Sequence, residues 1–119
     1  MPLPFILAAS VLATLTKKFS DWDSMSKCLK DLVVAKNNEY KEVPHAAKVF
    51  GVYSDNDDEK QIQVKYKFFY KEEKWIEAAE TATIPADAVP ENILSKIKSA
   101  NGEEVDITED MEKELQIEI

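Results

Sequence analysis

From Gln61 to Lys71 the chain alternates: Ile62, Val64, Tyr66, Phe68 and Tyr70 are apolar or aromatic, and every intervening position is polar except Phe69. A period of two sends successive side chains to opposite faces, so this segment is a strand with one buried face. One such strand cannot bury its apolar side alone. The rest of the chain must supply paired neighbours and a covering layer.

The flanks supply the neighbours. Lys48 to Tyr53 and Trp75 to Ile84 also read as strands, set off by Ser54-Asp55-Asn56-Asp57-Asp58-Glu59 on one side and Glu72-Glu73-Lys74 on the other. That spacing predicts a three-stranded antiparallel meander. A loop of Glu72 to Lys74 pairs Tyr70 with Ile76, Phe68 with Ala78, Val64 with Ala82 and Ile62 with Ile84. A slip of one residue would place Glu77 opposite Phe68 and turn Trp75 inward, so the first register buries more apolar surface. It leaves one anomaly: Glu80 falls opposite Tyr66 on the inner face, where a carboxylate needs a partner or a place at the sheet margin.

The same register gives the outer face its character. It carries Lys65, Lys67, Phe69, Lys71 and Trp75, with Phe69 and Trp75 as diagonal neighbours. Aromatic area ringed by lysines is the composition of a protein-binding surface, with the lysines drawing an acidic partner. The competing reading is that another part of the chain, or a second copy, covers those aromatics.

Helical spacing appears on both sides of the meander. Trp22, Met25, Leu29, Leu32 and Val33 share one face, after Ser20 or Asp21 as a cap. Pro90-Glu91-Asn92 opens a second helix with Ile93, Leu94 and Ile97 on its apolar side, closed by Asn101-Gly102. The tail carries two patterns. Ile107, Met111 and Leu115 have helical spacing with Thr108 as a cap, whereas Leu115, Ile117 and Ile119 alternate like a strand. A helical turn over Thr108 to Glu114 followed by a short strand reconciles them.

The first 16 residues carry no charged side chain, in a chain that is 32% charged. Such a run leaves water by entering a core, a partner, a bilayer or an export channel. It is short of the roughly 20 apolar residues that span a bilayer. It also has no basic start, the lysines Lys17 and Lys18 coming after the run. The expectation is a helix over about Leu3 to Lys18, buried against the domain. An anchor or an export signal over residues 1 to 16 is the alternative.

Composition restricts the chemistry. Cys28 is the only cysteine, so no intrachain disulfide forms. All 15 basic residues are lysines, and the formal net charge is -8. Residues 101 to 119 hold eight acids against Lys113 alone. An acidic chain without arginine lacks the usual bidentate reader of phosphate and guanine, which argues against nucleic acid as a partner. The two glycines, Gly51 and Gly102, lie too far apart for a phosphate cradle. His45 is the only histidine, and its pairing with Cys28 as a base–nucleophile dyad competes with the commoner state of a helical cysteine, an inert buried thiol. The acidic stretch Asp55 to Glu59 has carboxylates at alternate positions but lacks the glycine and distant glutamate of a calcium loop.

These observations predict one α+β domain over residues 1 to 119. It would comprise two N-terminal helices, the three-stranded antiparallel meander, one further helix and a short C-terminal helix or strand. The expected function is that of a non-enzymatic protein-interaction module, a regulator, inhibitor or adaptor, with no cofactor and no metal. Its partner would be another protein or a second copy of itself, met on Lys65, Lys67, Phe69, Lys71 and Trp75. The expected location is cytoplasmic. The alternative is a membrane-associated or exported protein using residues 1 to 16.

Overall fold

The computed structural model describes residues 16 to 56 and 59 to 119. They form an α+β domain: a five-stranded mixed sheet with three helices. Along the chain run β1 (Thr16–Lys18), α1 (Trp22–Glu39), β2 (His45–Asn56), β3 (Glu59–Lys71), β4 (Trp75–Pro85), α2 (Glu91–Lys98), β5 (Val105–Asp106) and α3 (Thr108–Leu115). A single 3-10 turn, Ala86–Ala88, links β4 to α2.

The sheet order is β1-β4-β3-β2-β5. Its middle is antiparallel and long, with β3 paired to β2 from His45↔Tyr70 to Asn56↔Glu59 and to β4 from Lys71↔Trp75 to Gln61↔Pro85. The β3–β4 register is the one that burial favours, with Tyr70 opposite Ile76, Phe68 opposite Ala78 and Tyr66 opposite Glu80. Along β3 the burial alternates residue by residue from Gln61 to Tyr70, with Ile62, Val64, Tyr66, Phe68 and Tyr70 on the buried side.

Three expectations are corrected. The meander is not the whole sheet, because β1 adds in parallel to β4 (Thr16↔Thr81 to Lys18↔Thr83) and β5 adds antiparallel to β2 (Phe50↔Asp106, Gly51↔Val105). Instead of two N-terminal helices, only α1 lies in that region among the described residues. Thr16–Lys18, expected as the last turn of a first helix, is strand β1, and Leu3 to Leu15 fall outside the described residues. The physical reason is the demand of a sheet edge: β4 exposes unpaired backbone groups there, and the short β1 satisfies some of them. At the other end, Leu115–Ile119 is not a strand. Gln116 takes a left-handed conformation (φ 58°) after α3, and the Ile119 amide donates to Glu112 Oε2 at 2.9 Å. That turn folds Ile117 and Ile119 back against the core instead of along the sheet.

The helices begin where local chemistry allows. Asp21 caps α1 by accepting from the Ser24 amide at 2.8 Å. Its buried stripe of Met25, Leu29 and Val33 packs on the inner sheet face. Thr108 does not cap α3, whose first flanking position is Ile107. Its hydroxyl instead accepts from the Val49 amide at 3.0 Å and donates to Asp106 at 2.6 Å. The Ile107 amide donates to the Val49 carbonyl at 2.9 Å. Ile107 and Thr108 together satisfy β2 backbone groups where the two-residue β5 stops.

Gly51 sets how closely α2 approaches β2. A Cβ there would lie 2.5 Å from Ile97 Cδ1 and 2.9 Å from Ile97 Cγ1. The bare backbone lets Ile97, fully buried, sit directly on the strand.

Candidate functional site

All three helices pack on the inner face, so the outer face of the central strands carries no covering element among the described residues. Alternation puts Lys65, Lys67, Phe69 and Lys71 of β3 on that face, with Lys48, Phe50 and Val52 of β2 and Trp75 and Glu77 of β4 beside them. Trp75 is the most open aromatic, 55% exposed. It stands opposite Lys71 and diagonal to Phe69, whose own partner is Glu77.

The five residues expected at the site therefore share one face, but their electrostatics differ from the expectation. Lys65 Nζ donates to Glu104 Oε2 at 3.0 Å and Lys67 Nζ to Glu104 Oε1 at 2.9 Å. Lys67 also stands over the Phe50 ring, 4.7 Å from its centroid. Lys48 lies 4.0 Å from Asp106. The two bonds from Lys67 and Lys65 hold the Glu104 carboxyl below its ordinary range. Asp106 is lowered by the Thr108 hydroxyl and amide. Three of the four lysines on this face thus have a carboxylate neighbour, and Lys71, beside Phe69 and Trp75, is left as the lysine best placed to meet a partner.

Sequence reasoning missed Glu104 because nothing local marks it. It comes onto this face through the pairing of Val105 with Gly51, which turns Glu104 and Asp106 outward by alternation. The clustered acids of residues 101 to 119 were legible as charge, but their position beside the lysines was not.

The residues weighed for catalysis are placed apart. Cys28 lines a cleft between α1 and the sheet with Val64, Tyr66 and Glu80. His45 stacks on Phe68 with ring centroids 5.6 Å apart, and its Nδ1 lies 2.7 Å from the Val43 carbonyl. No hydrogen bond joins Cys28 to His45. Among the described residues no group of His, Cys, Asp and Glu is arranged to hold a metal ion, and no helix is long and apolar enough to cross a membrane. Comparison of the chain with protein-family models, with curated proteins and with solved structures finds no match.

Proposed function

We propose that the protein is a non-enzymatic interaction module that binds another protein on the open face of its sheet. The observation that carries this reading is Trp75, more than half exposed at the start of β4, with half-buried Phe69 diagonal to it and Lys71 opposite. Large aromatics held on a regular element lose little entropy on binding and are the commonest anchors of protein interfaces. Lys48, Lys65 and Lys67 already have carboxylate neighbours, which suits a partner that meets the Phe69–Trp75 patch with apolar area and presents an acid to Lys71. A regulatory, inhibitory or adaptor role in the cytoplasm belongs to the same proposal.

The test is comparative affinity capture with the full-length protein and the double variant Phe69→Ser/Trp75→Ala as baits, both checked for an unchanged circular dichroism spectrum. A partner retained by the natural chain and lost by the variant is expected. Sedimentation of both proteins distinguishes a second copy from a foreign partner. Identical captured sets from the two baits would refute the assignment of this face.

A further inference from the structure

The opposite side of the sheet holds a cleft that the interaction face does not explain. It lies between α1 and the β1–β4 edge, and its volume is about 310 Å³. Phe19, Met25, Leu29, Leu32, Val64 and Ala82 form its apolar walls. The space follows from sequence: β4 presents Ala78 and Ala82 on the inner face where β3 presents Phe68 and Val64. Small side chains under a helix leave a gap that the neighbours do not close.

Tyr66 and Glu80 bring polar groups to this apolar space, with Thr81 beside them. Tyr66 is only 2% exposed, yet its hydroxyl has no hydrogen-bond partner among the described residues. Buried hydroxyls nearly always bond to a protein group, a water or a ligand, so this one is available to whatever enters the cleft. Glu80 pairs across the strands with Tyr66 and lines the same space, half-buried. Burial, and then the Glu80 charge, push the ionisation of Tyr66 far above its ordinary range, so it stays a phenol. Lys17 and Asp31, both exposed, complete the charged lining.

We propose that this cleft binds a small apolar amine, with its ammonium group held between the Glu80 carboxylate and the Tyr66 hydroxyl oxygen. The charge of Glu80 and the hydrogen-bonding groups beside it favour that head group. A carboxylate only accepts hydrogen bonds, and an ammonium only donates them, with enough N–H groups to serve Glu80 and a Tyr66 lone pair together. A neutral alcohol can also engage both, donating to Glu80 and accepting from the Tyr66 O–H, but it brings no charge to meet the carboxylate. An anionic head would meet Glu80 and Asp31 with only Lys17 to offset them, so the lining favours a cation. Size restricts the body. A cavity of about 150 Å³ holds benzene, so one of twice that volume suits two fused rings or a short branched chain. It is at the lower end of the range of about 300–1,000 Å³ for small-ligand sites.

The probe is 2-(1-naphthyl)ethylamine, titrated into the full-length protein by calorimetry and by amide chemical shifts. It is compared with 2-(1-naphthyl)ethanol, 1-ethylnaphthalene and 1-naphthylacetate. The amine is expected to bind about tenfold or more tightly than the alcohol, since hydrogen bonds to a charged partner carry that difference. Shifts should centre on Cys28, Leu29, Tyr66, Glu80 and Ala82, and the naphthylacetate should not bind there. Glu80→Gln should bring the amine down to the alcohol's affinity. Tyr66→Phe should weaken the amine several-fold while leaving the melting temperature unchanged or raised. Ala82→Leu, which fills the cleft with apolar atoms, should abolish binding and gives a second test independent of the polar pair. Equal binding of amine, alcohol and hydrocarbon would overturn the proposal. So would binding of the naphthylacetate, shifts confined to the outer sheet face, or no binding of the amine at millimolar concentration.

Discussion

Gly51→Ala is the substitution whose consequence follows most directly from the packing. The backbone at Gly51 is ordinary strand, so alanine costs nothing in conformation. An alanine there would gain about 0.5–1 kcal/mol from a less flexible unfolded chain. Against this, its methyl would arrive 2.5 Å from Ile97 Cδ1 and 2.9 Å from Cγ1. Ile97 is fully buried and held between β2 and the rest of the core, so it cannot swing into solvent. Overpacking of this kind costs about 1–3 kcal/mol, leaving a net loss of about 0–2.5 kcal/mol. Ile97→Val removes Cδ1, the atom nearest the new methyl, and alone costs about 0.5–1.5 kcal/mol. Together, the alanine methyl enters the space that Cδ1 vacates, although the Cγ1 contact persists. The double variant should therefore be more stable than the sum of the singles predicts, by on the order of 1 kcal/mol, well above the 0.3–0.5 kcal/mol scatter of independent sites. Urea denaturation of all four proteins measures this, provided the slope of free energy against urea is common to them. Additivity within that scatter would mean that α2 does not rest on Gly51.

Phe68→Ala should cost about 3–5 kcal/mol, because it empties the centre of the core and removes ring contacts to Tyr40 at 5.0 Å, Tyr70 at 6.1 Å and Tyr66 at 6.3 Å; a thermal melt without a large shift would refute the strand phase. Thr108→Val should cost about 1–3 kcal/mol by leaving the Val49 amide without its acceptor, and faster hydrogen exchange at Val49 is the specific readout. Glu104→Gln should lose less than about 1 kcal/mol at neutral pH, since its two lysine bonds lie at the surface. The Glu104 carboxyl is lowered in the fold. Its contribution is therefore present above the ordinary glutamate value of about 4.3 and disappears as pH falls through the lower folded value. The urea midpoints of wild type and variant should converge on acidification, and a gap that widens instead would refute the pairing.

What the sequence revealed and what it hid divide along the range of the interactions. The buried face of β3, its register with β4, the stripe of α1 and a cap at Ser20 or Asp21 are all written in neighbouring residues, as periods of two or 3.6 and as turn chemistry. Strands β1 and β5 carry no such period. At three and two residues they exist because β4 and β2 offer edges, and Thr16 pairs with Thr81, far along the chain. The C-terminal alternation of Leu115, Ile117 and Ile119 was a false strand signal: Gln116 reverses the chain, and the three side chains reach one core by folding back.

The two candidate sites obey the same division. The residues of the outer face were legible because one alternating strand assigns every side chain to one face or the other. Phe68 and Phe69 are adjacent and chemically identical, yet Phe68 is 1% exposed and Phe69 faces outward beside Trp75. Substituting the first tests the fold, and substituting the second, which is half-buried, tests the proposed binding role. The cleft was not legible, since no single element contains it: it needs the alanines of β4, the phenol of β3 and the helix across them. The sequence did hold its trace in Glu80, an acidic residue that the register places on the apolar face of the meander, opposite Tyr66. A carboxylate there, opposite Tyr66 and on the cleft lining, is the position that the proposed amine site would put to use.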